Sequence, residues 1–185
     1  MKWSRFSHIV CALGTCVALA SVANAMPVPT WDRQIEGRGR FQVLNRFSGE
    51  AVLDRETGLV WERVAGDTNG DQVITIPDDE LDWFAARFHC ANKDIGNRKG
   101  WRLPAMYELL SLIDPSVPDA PKLPDGHPFV DVQSPANYWS ATTNADNPAN
   151  AWIMDFFGNT TPNGQKVTFA FVWCVRGGSP GPTAY

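Results

Sequence analysis

Between positions 67 and 78 the chain reads Asp-Thr-Asn-Gly-Asp-Gln-Val-Ile-Thr-Ile-Pro-Asp. Counted as a twelve-position loop, oxygen-bearing side chains fall at 1, 3, 5, 9 and 12, as Asp67, Asn69, Asp71, Thr75 and Asp78. Val73, at position 7, can offer its carbonyl. A calcium loop needs this set, because a hard cation takes six or seven oxygens at about 2.4 Å and a tight turn converges them. Two features depart from the pattern. Gln72 stands at position 6, where glycine normally permits φ > 0, and the preceding segment LVWERV is strand-like rather than helical. The spacing predicts one structural calcium ion that neutralises the acids and starts the following helix, with Thr75 as its cap. The alternative is a solvated polar turn centred on Asn69-Gly70.

A second cluster, Asp146, Asn147 and Asn150, crowds in front of Trp152. Carboxylate and amide oxygens beside an aromatic ring suit sugar hydroxyls, which pair with planar polar groups and stack on rings. These residues are the expected ligand contacts; the competing reading is that they close a loop through Asx turns. Catalytic constellations are harder to find. His89 and His127 lack a placed partner, and carboxylates such as Asp125 and Asp131 are scattered.

The amino terminus sets the compartment. Lys2 and Arg5 precede an apolar run over 9–23 that closes on Ala23-Asn24-Ala25, a small-x-small pattern of the kind signal peptidase cuts. Residues 1–25 are read as a signal peptide, so no transmembrane anchor is expected after cleavage, and the mature chain is periplasmic or extracellular. It keeps 20 acidic and 14 basic residues, a net charge of −6. That weighs against nucleic acid as a partner, because phosphate neutralisation needs clustered Lys and Arg. Cys11 and Cys16 leave with the signal. Cys90 and Cys174 remain, an even pair in an oxidising compartment, where a disulfide is the default.

The elements that must position these groups follow from periodicity. Residues 26–40, rich in Pro, Gly and charge, read as an N-terminal arm. Residues 41–178 form one α+β domain, and 179–185 a flexible tail. Strands are expected over 41–47 and 51–64, the latter folded about Arg55-Glu56-Thr57-Gly58. A helix is predicted over 76–92, with Leu81, Phe84, Phe88 and Ala91 on its buried face and Trp83, Arg87 and Cys90 on the adjoining stripe. A second helix starts at Pro104, with Met106, Leu109, Leu110 and Ile113 inward. A long Pro/Asp-rich loop covers 116–135, a length that is usually functional in a compact domain. Strands close the domain at 137–143, 151–157 and 167–175. The second should turn Trp152, Met154 and Phe156 to one face. The third, apolar on both faces, should be central in the sheet.

Six segments stand in a distinctive order: TGLVWER (57–63), FHC (88–90), GWRLPAMYELLSLID (100–114), NYWSATT (137–143), NPANAWIMDF (147–156) and FVWCVRGG (171–178). Together they resemble the C-terminal domain family of the Legionella collagen-like adhesins. The resemblance implies a C-type-lectin-like domain: a small twisted, mainly antiparallel sheet, two helices and a long loop region at one end. It also implies a disulfide from the first helix to the last strand, and a binding function directed at a glycan or a surface protein, best exemplified by sulfated glycans. Within GWRLP, Trp101 reads as a core anchor and Arg102 as a structural pairing residue. Ala105 stands where the family usually has Thr, forfeiting a helix cap worth about 1 kcal/mol. No collagen-like repeat is present. Formylglycine-generating oxidases share the fold class, but their chemistry needs two free cysteines, so a non-enzymatic module is expected. A structural subunit of a surface assembly is the remaining alternative.

Overall fold

The computed structural model describes residues 35, 39–71, 74–157 and 163–178. The expected signal peptide, nearly all of the expected arm, the tail, Gln72 and Val73 lie outside the described residues. The fold is α+β, built on two five-stranded sheets. The first runs β1 (Phe41–Val43), β2 (Ala51–Asp54), β3 (Val60–Glu62), β10 (Val175–Arg176), β5 (Trp101–Arg102), antiparallel throughout. The second runs β4 (Glu80–Leu81), β9 (Ala170–Phe171), β6 (Asn137–Thr143), β7 (Asn150–Asp155), β8 (Asn163–Gln165), with only β6 and β9 parallel. The helices are α1 (Trp83–Asn92) and α2 (Met106–Leu110).

The expected single strand over 167–175 is split. Residues 170–171 pair in the second sheet, 175–176 in the first, and 172–174 bridge them fully buried. Its two apolar faces serve two cores. Ala170, Val172 and Cys174 join one cluster with Trp83, Trp101 and Trp139. Phe171, Trp173 and Val175 join another with Trp61, Tyr138 and Phe156. The expected inner position holds, but the segment is shared between two sheets rather than central in one. The alternation expected for β7 holds, since Trp152, Met154 and Phe156 all face the second cluster.

The predicted face of α1 is corrected. Trp83, Ala86 and Cys90 are buried, whereas Phe84 and Phe88 are exposed and Leu81 belongs to β4. Two apolar stripes competed. The one holding the largest ring and the bridged cysteine went inward, because Cys90 is bonded to Cys174 with Cα atoms 5.5 Å apart. The helix also starts later than expected. Its cap is Asp82, whose carboxylate accepts from Ala85 N at 2.8 Å, not Thr75. In α2, Met106 and Leu109 are buried while Leu110, expected inward, is half exposed; Leu112, just past the helix, is buried instead. Ala105 provides no side-chain cap. Glu108 still accepts from Ala105 N at 2.8 Å, and the hydroxyl of Thr142 on β6 accepts from Met106 N at 2.9 Å, replacing the missing threonine from another element.

The expected pairing role of Arg102 appears as a two-pronged bond to Glu108 at 2.7 and 2.6 Å, while Trp101 is buried. At the other end, Arg40 is not loose arm. It is buried against Asp54 through bonds of 3.0 and 2.8 Å, so the packed domain begins at least one residue before 41. The loop after α2 is packed rather than free. Leu123 and Phe129 are buried in the second cluster, and Val130 bridges to Val64 beside β3.

Candidate functional site

Where β3 ends, the chain must leave a strand whose residues face both cores, and Glu62 is the residue that does it. Its backbone N donates to Cys174 O at 3.1 Å, and its carbonyl accepts from the Trp173 indole at 2.8 Å. The side chain is therefore held in the interior with its carboxylate beside the disulfide-bearing segment. One oxygen accepts from Cys174 N at 3.3 Å; the other is paired with the Lys93 ammonium. Lys93 is the C-cap of α1, placed there by the helix that Asp82 starts. Its Nζ also donates to Asp67 O at 3.1 Å and lies 3.1 Å from Nε2 of His89, one turn back on α1.

Carboxylate, carbonyl and imidazole thus surround one ammonium. Burial pushes the Glu62 carboxyl up to about 7, against the opposing pull of Lys93. Burial, then the Lys93 charge, hold His89 down at about 4, so the imidazole is neutral at physiological pH and accepts at Nε2.

These groups form the floor of an open cleft of about 510 Å³. One wall is the 48–50 turn after β1, another is the 67–70 loop, and Asp94 and Ile95 follow α1. Val130 and Asp131 of the long loop complete it. Five carboxylates line the space, from Glu50, Glu62, Asp67, Asp94 and Asp131, against the two cations Arg63 and Lys93. Arg63 is already engaged by the carbonyls of Pro128 and Gly49 at 3.2 and 3.3 Å. Glu50, Asp94 and Asp131 are exposed at the rim, and no side-chain hydrogen bond or ion pair among the described residues engages their carboxylates.

The predicted calcium loop forms part of this wall. Asp67 accepts from Gly70 N at 2.6 Å, three residues on, and Asn69 Oδ1 accepts from Asp71 N at 2.9 Å in an Asx turn, so the two side chains curl the segment. Asp78 is exposed. The carboxylate that gathers the loop is its neighbour Asp79, fully buried, which accepts from Thr68 N at 3.0 Å and Thr75 N at 2.7 Å. Burial pushes Asp79 up, but the Thr75 and Thr68 bonds outweigh it and hold the carboxyl below its ordinary range. Among the described residues, no group of three or more His, Cys, Asp or Glu side chains converges as a metal site.

Asp146, Asn147 and Asn150 lie elsewhere, in the hairpin between β6 and β7, and none lines the cleft. Asn144 caps that turn, accepting from Asp146 N at 2.9 Å. Asn147 Oδ1 accepts from Ala149 N at 3.2 Å, and the Asn150 amide donates to Asn163 Oδ1 at 2.6 Å.

Sequence reasoning missed Glu62, His89, Lys93 and Asp79 as site residues. Two signals were available. Glu62 is in phase with Val60 on a strand apolar on both faces, and His89 and Lys93 are four apart on one helix.

A two-sheet α+β domain with two helices and a polar cleft walled by loops is of the C-type-lectin-like class. The model of the Lcl C-terminal domain matches residues 50–176, and the chain belongs to that family. The match runs from the rim residue Glu50 to β10, so it takes in the cleft floor and both bridged cysteines. The family is one of adhesin-associated domains. No curated protein matches the chain. Among the described residues, no helix is long and apolar enough to cross a membrane.

Proposed function

We propose that this chain is an exported binding module of adhesin type that takes a glycan in the cleft over Glu62 and Lys93. The observation behind this reading is the pairing of a pre-organised floor with a rim of three unengaged carboxylates. Floor groups already held by one another need no reordering on binding, and rim carboxylates are strong acceptors for hydroxyl donors. The excess of acids over cations makes the cleft repel sulfate, so its sugar is neutral or amine-bearing rather than sulfated. Signal cleavage after Ala25, delivery to the periplasm or cell surface, and binding without turnover belong to the same reading. A surface protein is the alternative ligand, and a structural subunit the alternative role.

Glycan-array binding of the secreted protein tests it. A Glu50→Gln/Asp131→Asn variant should lose the bound sugars, while Asp146→Ala/Asn147→Ala keeps them. The reverse pattern assigns recognition to Asp146, Asn147 and Asn150. Silence on the array with concentration-dependent self-association favours the subunit.

The 67–78 loop supports a second, compatible reading: one structural calcium ion held by Asp67, Asn69, Asp71, Val73, Thr75 and Asp78. In its favour is the curl of the segment, where Asp67 and Asn69 each accept from a backbone N–H within three residues. Binding to the folded state alone stabilises by about 2.7 kcal/mol at a hundredfold excess over Kd. Millimolar calcium should then raise Tm by several degrees, and Asp71→Ala should abolish the rise. Equal melting in calcium and in chelator excludes the ion.

A further inference from the structure

The outward stripe of α1 does not fit a soluble domain that ends there. Phe84 is 61 % exposed and Phe88 72 % exposed, one turn apart on the side of the helix away from the core. Beside them runs the segment before β9, where Val167 is 70 % and Phe169 65 % exposed. The two are held together by Trp83 N donating to Lys166 O at 3.0 Å and by the β4–β9 pair Leu81–Ala170. Single exposed apolar residues are ordinary on a protein surface, but four large ones on two adjoining segments mark an interaction face.

Two cations sit within this face. The Arg87 guanidinium lies 4.7 Å from the centre of the Trp83 ring, and the Lys166 ammonium 4.1 Å from it. Lys166 donates to the Thr143 hydroxyl at 2.9 Å, and neither cation has a carboxylate partner among the described residues. In a chain with more acids than bases, an aromatic ridge carrying two unmatched positive charges is a distinct feature.

The charge decides between occupants. A second copy seated on the same face by a two-fold axis would bring a second unmatched Arg87 and Lys166 into one interface, concentrating like charge there. The partner must therefore be apolar and negative at once. An acidic peptide would need a groove, whereas these side chains stand out from the surface at more than half exposure. We propose that Phe84, Phe88, Val167 and Phe169, flanked by Arg87 and Lys166, form an interfacial docking face for an anionic lipid bilayer. The rings enter the boundary between headgroups and acyl chains, and the two cations meet lipid phosphates. The face lies round α1 from the His89–Lys93 stripe, so a domain seated on a membrane keeps its cleft open to solvent.

Co-flotation of the secreted protein with vesicles tests this. Wild type should float with vesicles containing phosphatidylglycerol, and not with pure phosphatidylcholine. Phe84→Ser/Phe88→Ser should weaken partitioning by at least about tenfold, through lost apolar burial. Arg87→Gln/Lys166→Gln should weaken it by about fivefold per charge at low salt, with the loss shrinking as salt rises. Both variants change exposed or surface-lying groups, and an unchanged Tm verifies that they fold. If the serine variant floats as well as wild type while the glutamine variant does not, the face is a polyanion site and the proposal fails. It fails equally if wild type ignores anionic vesicles, or if it is a dimer that the serine variant dissolves.

Discussion

Two sides of one helix treat charge in opposite ways. On the cleft side, His89 and Lys93 are half-buried and their polar atoms are matched to Glu62 and to the Asp67 carbonyl. On the outer side, Phe84 and Phe88 are exposed, and Arg87 lies over the face of Trp83 without a carboxylate partner among the described residues. Matched, buried charges are bound into the stability of the fold, because removing one leaves the other without a partner in low dielectric. Unmatched, exposed groups contribute little to folding and are available to something outside the chain. A change on the cleft side should therefore register in melting, and one on the outer side in partitioning.

The sharpest break of that contrast is Lys93→Ala. It strands the Glu62 carboxylate beside the disulfide and should destabilise by about 3 kcal/mol at pH 8. The effect should be smaller at pH 5, where Glu62 can take up a proton instead. Denaturant titrations at the two pH values measure the difference, and an equal loss at both would mean that the pair is not coupled.

Next in size is the pH dependence itself. Glu62 has a folded value of about 7 against an ordinary 4.5, so the folded state holds its proton more tightly. Its contribution is fully present below 4.5 and is lost as pH rises through 7. Glu62→Gln should therefore match wild type at low pH and gain on it steadily between pH 4.5 and 7, levelling above. His89 runs the other way. Its folded value of about 4 lies below the ordinary 6.5, so its contribution is present above 6.5 and is lost as pH falls toward 4. Wild-type stability should thus be flatter across pH 5–6.5 than in either single variant, Glu62→Gln or His89→Gln. A constant offset between Glu62→Gln and wild type would remove Glu62 from this account.

The smallest expected effect sharpens the comparison from the other side. Phe84→Ser/Phe88→Ser should change stability by no more than about 0.5 kcal/mol per site, the usual range for exposed positions. A loss of several kcal/mol would place those rings in the core after all.

Much of this was legible in the sequence, and the failures have identifiable causes. The α+β class, the hairpin after β2, the Cys90–Cys174 bridge and the period of β7 all follow from local pattern and compartment. The buried face of α1 was misread because a 3.6-residue period fixes two stripes equally well, and only the tether at Cys90 chooses between them. The split of 167–175 was invisible because a strand apolar on both sides looks the same in one sheet or two. Cation-ligand spacing points to Asp78, whereas the loop's buried carboxylate is Asp79, which gathers backbone amides. Lys93 and Glu62 are 31 positions apart, and no local pattern joins them.

The segment 170–176 has a consequence in time as well as space. It is the last stretch of the packed domain to emerge from a ribosome or a translocation channel, yet it supplies an inner strand to each sheet and alternate residues to each core. Until it arrives, β3 has no neighbour on one side and β6 lacks its link to β4. Neither sheet can therefore mature ahead of the other as the chain is made. Folding waits for the final few residues and then closes both halves at once, with long-range contacts that favour slow, all-or-none assembly. A product truncated before residue 170 would carry most of the sequence yet lack an inner strand in each sheet and a share of both cores.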